Sequence, residues 1–268
     1  MTRCPQSRGS LLTRRAVAVP VALAALAPPG RAAAPPLLRL QGSTTFDSEL
    51  MAEHKGAIEA ASGVRLDVVP NKSSLGLIAL CEDEADLAMI STRLANEVEV
   101  IRQARPGLPT GRLQEFEVAR TRAALIVHSG NPVTSLDIAG LRWVLLGTAT
   151  NWREFGGPDL PIRVVAVRSG GSVVATVEAA VLGAGRHVAA PDQVRVQNGP
   201  QIVRVVEQEP GALGITQLKL TTGQGVRELG TPAALEQVLL LVSLGDLTPP
   251  MLAVINGCRT AASAAGLR

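Results

Sequence analysis

The 268-residue sequence has no tyrosine, three phenylalanines and two tryptophans, so its core must be aliphatic. Aromatics this sparse exclude a base-stacking platform for nucleic acid. Charged residues make up only 18% against 46% hydrophobic, a balance that excludes intrinsic disorder. Glycine and proline follow no repeating period, which excludes a collagen-like array. Lysine occurs only at 55, 72 and 219, and the arginine-heavy basic set reads as a compositional bias. Three cysteines and three scattered histidines (His54, His128, His187) give no metal-ligand spacing, so neither a metal nor another cofactor is expected. Cys81 and Cys258 could pair in an oxidising compartment, but spacing alone leaves this open.

The net charge of +3 belongs to the N-terminus. The first 34 residues hold five arginines and no acid, and beyond them 21 basic groups face 23 acidic ones. Residues 1–15 are polar, Ala16–Ala27 form a short apolar run, and small residues follow at Ala32, Ala33 and Ala34. This is the layout of a secretory signal, residues 1–34, cleaved near 32–34, and Arg14-Arg15 permits a twin-arginine route. Pro20, Pro28 and Pro29 argue against an ordinary helix. No later stretch reaches the roughly 18 apolar residues of a membrane span, so stable membrane insertion is not expected. The length allows one large or two medium domains.

Beyond residue 36, strands alternate with small-residue turns and helices. Leu37–Leu40, Val64–Val68 and Asp86–Ile90 read as strands. Helices are expected over Asp47–Ala61 and from the Ser73 turn through Cys81. A second block opens at Ala123–Val127, with Ser135 as the expected cap of a helix to Leu146. Strands at Ile162–Val167, Val194–Val196, Ala212–Ile215 and Val238–Val242 follow. Helices are expected at Val173–Leu182, about Pro200–Glu207, and after Pro249. The alternation implies an α/β fold with a largely parallel sheet.

Three Gly/Ser/Thr turns, at 42–46, 72–76 and 168–172, each lead from a strand into a helix. A helix start offers unpaired N–H groups and the positive end of the dipole, and adjacent hydroxyls add rotatable donors. Converging, such ends make an oxyanion site with little formal charge. Singly, each is read more readily as ordinary helix capping.

Their order carries a resemblance. Gly42-Ser43-Thr44-Thr45-Phe46, Ser73-Ser74-Leu75-Gly76 and Asp86-Leu87-Ala88-Met89-Ile90-Ser91 come first. The segment NPVTSLDIAGLRWVLLGTATNWREFGG (131–157), Arg168-Ser169-Gly170-Gly171-Ser172 and Pro210-Gly211-Ala212-Leu213-Gly214-Ile215 follow. Over residues 37–257 the chain resembles the phosphate-binding solute receptors of ABC transporters, a branch of the type II periplasmic binding proteins.

The resemblance implies two lobes, each a mostly parallel sheet flanked by helices, joined by two crossing hinge strands near Arg120 and Ile215. Lobe one would hold 37–118 and 217–268, and lobe two 119–216. The oxyanion contacts would be the Thr45 hydroxyl, the Phe46 N–H, Ser73, Ser91, Arg168 as the charged donor, the Ser172 hydroxyl and the Val173 N–H. Val173-Val174 stand where the family commonly has Gly-Thr, and Ser91 and Gly170 stand where some members carry acids. A carboxylate there would repel fully ionised sulfate, so here discrimination of phosphate from sulfate is not enforced by charge. The implied protein is a monomeric, periplasmic, non-enzymatic receptor that passes inorganic phosphate or a similar oxyanion (sulfate, tungstate, molybdate) to permease subunits. An extracytoplasmic sensor and an exported phosphatase are the alternatives. The phosphatase is disfavoured because Ser172 has no nearby candidate base and Gly-x-Ser-x-Gly is absent.

Overall fold

The computed structural model describes residues 1–2, 34–168, 171–183, 185–222 and 225–268. The expected leader and Cys4 lie outside these residues, as do Ser169 and Gly170 of the third turn. The chain divides into two compact units, Met1–Ala34 and Pro35–Arg268; the second contains everything that follows.

The second unit opens with β1 (Leu37–Ser43) and α1 (Thr44–Phe46). A π-helical turn (Asp47–Met51) then leads into α2 (Ala52–Ser62). Next come β2 (Arg65–Asn71), α3 (Ser73–Cys81), β3 (Leu87–Ile90), α4 (Leu94–Ala104), β4 (Leu113–His128) and α5 (Ile138–Leu146). After β5 (Arg163–Val167), α6 (Ser172–Val177) continues as a π-helical stretch, Glu178–Leu182. β6 (Gln193–Val196), α7 (Gly199–Gln208), β7 (Ala212–Gln217), β8 (Val226–Glu228), β9 (Glu236–Leu244) and α8 (Pro249–Ala264) complete the unit.

The strands run in the order β2-β1-β3-β9-β4-β7-β5-β6, with β8 added beside β4. The sheet is mixed. The outer pairs β1–β2, β1–β3, β5–β6 and β5–β7 are parallel, while β4 and β9 run antiparallel to their neighbours. Parallel neighbours joined through helices produce the outer pairs, as the strand–turn–helix alternation requires.

Two sets of cores flank this curled sheet. Leu40, Phe46, Leu50, Ile58, Leu239 and Ile255 pack together on one side of the molecule. Leu125, Leu141, Trp152, Val177 and Leu213 form the largest cluster on the other. β4 serves both sides, with Ala119 in the first core and Leu125 and Val127 in the second. Its pairing with β9 shifts register between Glu117 and Ala119, a bulge that bends the strand as it passes from one core to the other. The return crossing is made by the chain entering β9 at Glu236, which pairs with Arg122. Ile215, expected at a hinge, is instead paired with Leu125 inside the second core.

Two further expectations change. Ser135 forms a bridge with Gly230, and the cap of α5 is Asp137, whose carboxylate accepts from the Gly140 N–H at 2.7 Å. The strand expected at Ala123–Val127 is the second half of the 16-residue β4. Cys81 and Cys258 are free thiols. Cys258 sits in the first core, where burial pushes its thiol up to about 12 and keeps it inert.

The segment that carries the resemblance most strongly is scaffold. The Asn151 side chain accepts from the Arg153 N–H at 3.0 Å, and Glu154 accepts from the Asn151 N–H at 3.0 Å, closing a capping box. Trp152 is fully buried, donates to the Gly211 carbonyl at 2.9 Å and meets Phe155 edge to face. The indole thereby ties this segment to the turn that starts β7. Among the described residues, no helix is long and apolar enough to cross a membrane.

Candidate functional site

The site begins with two glycines. At Gly42 a Cβ would lie 2.1 Å from the Met89 carbonyl oxygen, and φ is +137°. Only glycine lets β1 close onto β3 there. At Gly76 a Cβ would lie 2.3 Å from the Gln41 carbonyl oxygen and 2.6 Å from the Gly42 Cα, so glycine also lets α3 rest on the end of β1. Arg39 fixes the same strands from their other end. Its backbone N–H and guanidinium all hydrogen-bond the Asp86 carboxylate just before β3. Burial pushes that carboxyl up, but the Arg39 bonds outweigh it and hold it below its ordinary value.

This closure gathers hydroxyls. Ser43 Oγ and Ser91 Oγ are 2.6 Å apart, and Ser73 Oγ accepts from the Ser91 N–H at 3.4 Å. From the far side of the sheet, Ser172 accepts from Ser91 Oγ at 2.7 Å and lies 3.0 Å from Thr45 Oγ1. Five hydroxyls from the ends of β1 and β3 and the starts of α1, α3 and α6 therefore converge. Ser43, Thr45, Ser73 and Ser91 are buried, and Ser172 is half-buried.

The three helix starts differ. Ser43 Oγ accepts from the Thr45 and Phe46 N–H groups, each at 3.1 Å, so the first turn is a true cap. Neither α3, preceded by Lys72, nor α6, preceded by Gly171, has a side-chain cap. By contrast, Asp137, Asn151 and Asn198 all cap the helices they precede. The starts of α4 and α8 are uncapped as well, but of the uncapped helices α3 and α6 are the two whose first residues, Ser73 and Ser172, belong to the cluster.

Of the expected contacts, Thr45, Ser73, Ser91 and Ser172 come together, and the Phe46 N–H joins them through Ser43. Val173 and Val174 turn their side chains into the second core, leaving only the Val173 backbone for a ligand. Arg168 stands exposed in the turn after β5, its N–H donated to the Val196 carbonyl at 2.7 Å. Its guanidinium makes no hydrogen bond to the cluster among the described residues. Ser43 is the participant that residue-by-residue reading passed over; its place just before Thr44-Thr45-Phe46 is a cap signal.

Among the described residues no carboxylate or imidazole bonds any of the five hydroxyls. Among the described residues no group of His, Cys, Asp or Glu could hold a metal ion. His128 accepts from the Gly130 N–H, and His187 meets Glu178 at 3.1 Å, both away from the cluster.

A sequence model of the PBP (periplasmic-binding-protein) superfamily domain matches residues 29–251. The chain belongs to the PBP superfamily. Its structure is similar to that of a Clostridium perfringens protein described as a phosphate ABC transporter substrate-binding protein, with bound phosphate. The TM-score is 0.71 at 21% identity, covering 86% of this chain and 98% of that one. An ABC-type phosphate transport receptor from Vibrio cholerae gives 0.68 at 19% identity, over 86% of this chain and 98% of that one. The reduced OxyR regulatory domain from Pseudomonas aeruginosa gives 0.56 at 10% identity, over 84% and 98%. These likenesses establish the two-lobed type II fold. In this PBP-superfamily chain the hydroxyl cluster sits where the two sides of the sheet meet, the place where α6 reaches across to β1 and β3.

The cluster is tightly drawn together. Hydrogen bonds from a hydroxyl to an anionic oxygen run about 2.5–2.7 Å. An anion placed among these side chains takes over the hydrogen bonds they now make to one another, which rotation about χ1 of each serine and threonine allows.

Proposed function

We propose that this protein is an exported solute-binding receptor that captures a tetrahedral oxyanion, phosphate first, between its lobes and delivers it to the permease of an ABC transporter. The observation that carries this reading is the convergence of five hydroxyls on two uncapped helix starts. A hydroxyl or N–H bond to a charged group contributes about 1.5–3 kcal/mol. Four or five such bonds together reach the roughly 8 kcal/mol of micromolar binding. The contacts are the Thr45, Ser73, Ser91 and Ser172 hydroxyls, the Phe46 and Val173 N–H groups, and Arg168. Arg168 comes from the same turn as Ser172 and supplies the one formal charge.

Lobe one begins at residue 37 and ends near 118. The sequence reading puts the return to it at 217; the packing of Val226, Leu229 and Leu235 in the second set of cores supports a later return, at 236. Lobe two is then 119–235. The leader, residues 1–34, directs the chain to the periplasm. The protein acts as a monomer, and the Ser172 hydroxyl, bonded among the described residues only to other hydroxyls, serves as a donor to the anion rather than as a nucleophile.

The test is calorimetric titration of the purified protein, refolded free of ligand, with phosphate, sulfate, tungstate and molybdate at pH 6 and pH 8. Micromolar phosphate binding that is lost in Arg168→Ala is the expected result. Equal binding of sulfate would make this a general oxyanion receptor. Silence for all four would remove the receptor reading and leave that of a sensor.

A further inference from the structure

Three helix starts meet the hydroxyl cluster, and one of them is closed. α3 and α6 begin without a side-chain cap. Leu75 in the first turn of α3 is exposed, and Gly171 and Ser172 at the start of α6 are half-buried, so solvent reaches both. The helix after β1 differs. α1, the π-helical turn and α2 run without a break from Thr44 to Ser62, and at its start Thr45 and Phe46 are both buried. Their N–H groups are shielded from water, and an unmatched buried N–H is costly.

Ser43 Oγ serves these two groups, accepting from each at 3.1 Å. A hydroxyl oxygen has two lone pairs and one proton. Both lone pairs of Ser43 are spent on the helix start, so its proton goes to Ser91 Oγ, 2.6 Å away. Ser91 in turn donates to Ser172 at 2.7 Å. An oxyanion at the same helix start would do what the Ser43 oxygen does now, accepting from the Thr45 and Phe46 N–H groups. The two oxygens therefore compete for one pair of donors.

We propose that Ser43 is a placeholder for the anion, holding the buried N–H donors between binding events and yielding them when the anion arrives. This rests on the oxyanion reading of the hydroxyl cluster and names the residue that sets its affinity. Rotation about χ1 takes the Ser43 oxygen off both N–H groups. The competition has a definite sign. In the free protein Ser43 satisfies the helix start, and in the bound protein the anion does. Removing the Ser43 hydroxyl therefore raises the free energy of the free state and leaves the bound state nearly unchanged. Losing this side chain tightens binding, whereas losing Ser172, which gives the anion a donor, weakens it.

Calorimetric titration of the full-length protein, refolded free of ligand, tests this with inorganic phosphate, and with sulfate should phosphate be silent. Ser43→Ala should bind about fivefold more tightly than wild type, the factor to which a typical lost serine cap converts. Its melting temperature without ligand should fall below that of wild type, and the gap should narrow at saturating anion. Ser43→Gly, a second route to the same loss in case alanine disturbs the fold, should move affinity in the same direction. Ser172→Ala should move it in the opposite one. Weaker or unchanged binding in a Ser43 variant whose circular dichroism matches wild type would overturn the proposal, make Ser43 an ordinary cap and leave the oxyanion site standing. If wild type binds neither anion, the oxyanion reading fails and this proposal with it.

Discussion

Ser172 carries more of the site than its neighbours because it alone reaches the cluster from the second side of the sheet, meeting Thr45 and Ser91 at once. Ser172→Ala removes that hydroxyl and little volume. At about 1.5–3 kcal/mol for a bond to a charged group, the expected loss is roughly ten- to hundredfold in phosphate affinity. The unliganded melting temperature should hardly change, and calorimetry with a thermal melt reads both. Glu49 shows the opposite balance. Its carboxylate is buried in the π-helical turn, with Oε1 unpartnered among the described residues and Lys219 3.9 Å from Oε2. Burial raises its pKa above the ordinary 4.5, with Lys219 opposing only in part. The native state therefore holds this proton more tightly than the unfolded chain. The stabilisation is complete below about pH 4.5 and is lost as pH rises through the raised native value. Glu49→Gln cannot ionise, so its melting temperature should match wild type near pH 4 and exceed it at pH 8. Each kcal/mol of difference corresponds to about 2–4 °C in a chain of this size.

The elements show where sequence patterns suffice and where they stop. β1, α3, β3 and β5 through α7 were legible because apolar runs end in Gly, Ser or Asn, and those residues do end or cap them. α4 was passed over although Leu94, Val98 and Ile101 stand at i, i+4 and i+7; the period is short and only Ile101 of it is fully buried. The first half of β4 escaped for a related reason. From Leu113 to Glu117 it lies beside β9 without a fully buried residue, and continuous apolar character begins only at Ala123. Ser135 mimicked a cap two residues early because Asp137 competes for the same role with a stronger acceptor. The hydroxyls of the site were legible as turns, yet their contacts were not, since a turn motif says nothing about which strand ends meet. Gly42 and Gly76 decide that. Gly76→Ala would place its Cβ against the backbone of Gln41 and Gly42, atoms with no rotamer to yield. α3 must then lift off β1, carrying Ser73 away from Ser91. The expected cost is about 1–3 kcal/mol of stability or somewhat more, read by urea unfolding. Anion affinity should fall by more than a lost Ser73 hydroxyl explains, which Ser73→Ala measures separately.

At the scale of the whole molecule, few side-chain contacts cross the cleft among the described residues, and the charged ones are those of Lys219, 3.9 Å from both Glu49 and Glu53. Besides those of Ser172, Gln217 donates to Ser48 Oγ at 3.0 Å, and Lys219 donates to the Ser48 carbonyl. Ser48 lies one turn from Thr45, whose carbonyl its own hydroxyl bonds at 3.1 Å. The segment after β7 therefore holds the first helix in the drawn-together arrangement without touching the anion's hydroxyls. Measured affinity is the intrinsic affinity scaled by the fraction of chains already in the competent arrangement. Lys219→Ala should lower that fraction. If it falls from about one half to one tenth, phosphate affinity drops about fivefold with the hydroxyl cluster chemically intact. Small-angle scattering separates this from a direct contact effect. Free Lys219→Ala should show a larger radius of gyration than free wild type, and the two should coincide at saturating phosphate. A weakened affinity with identical free-state radii would place Lys219 at the anion itself. An unchanged affinity would mean that the Ser172 and Gln217 contacts hold the two sides together without Lys219.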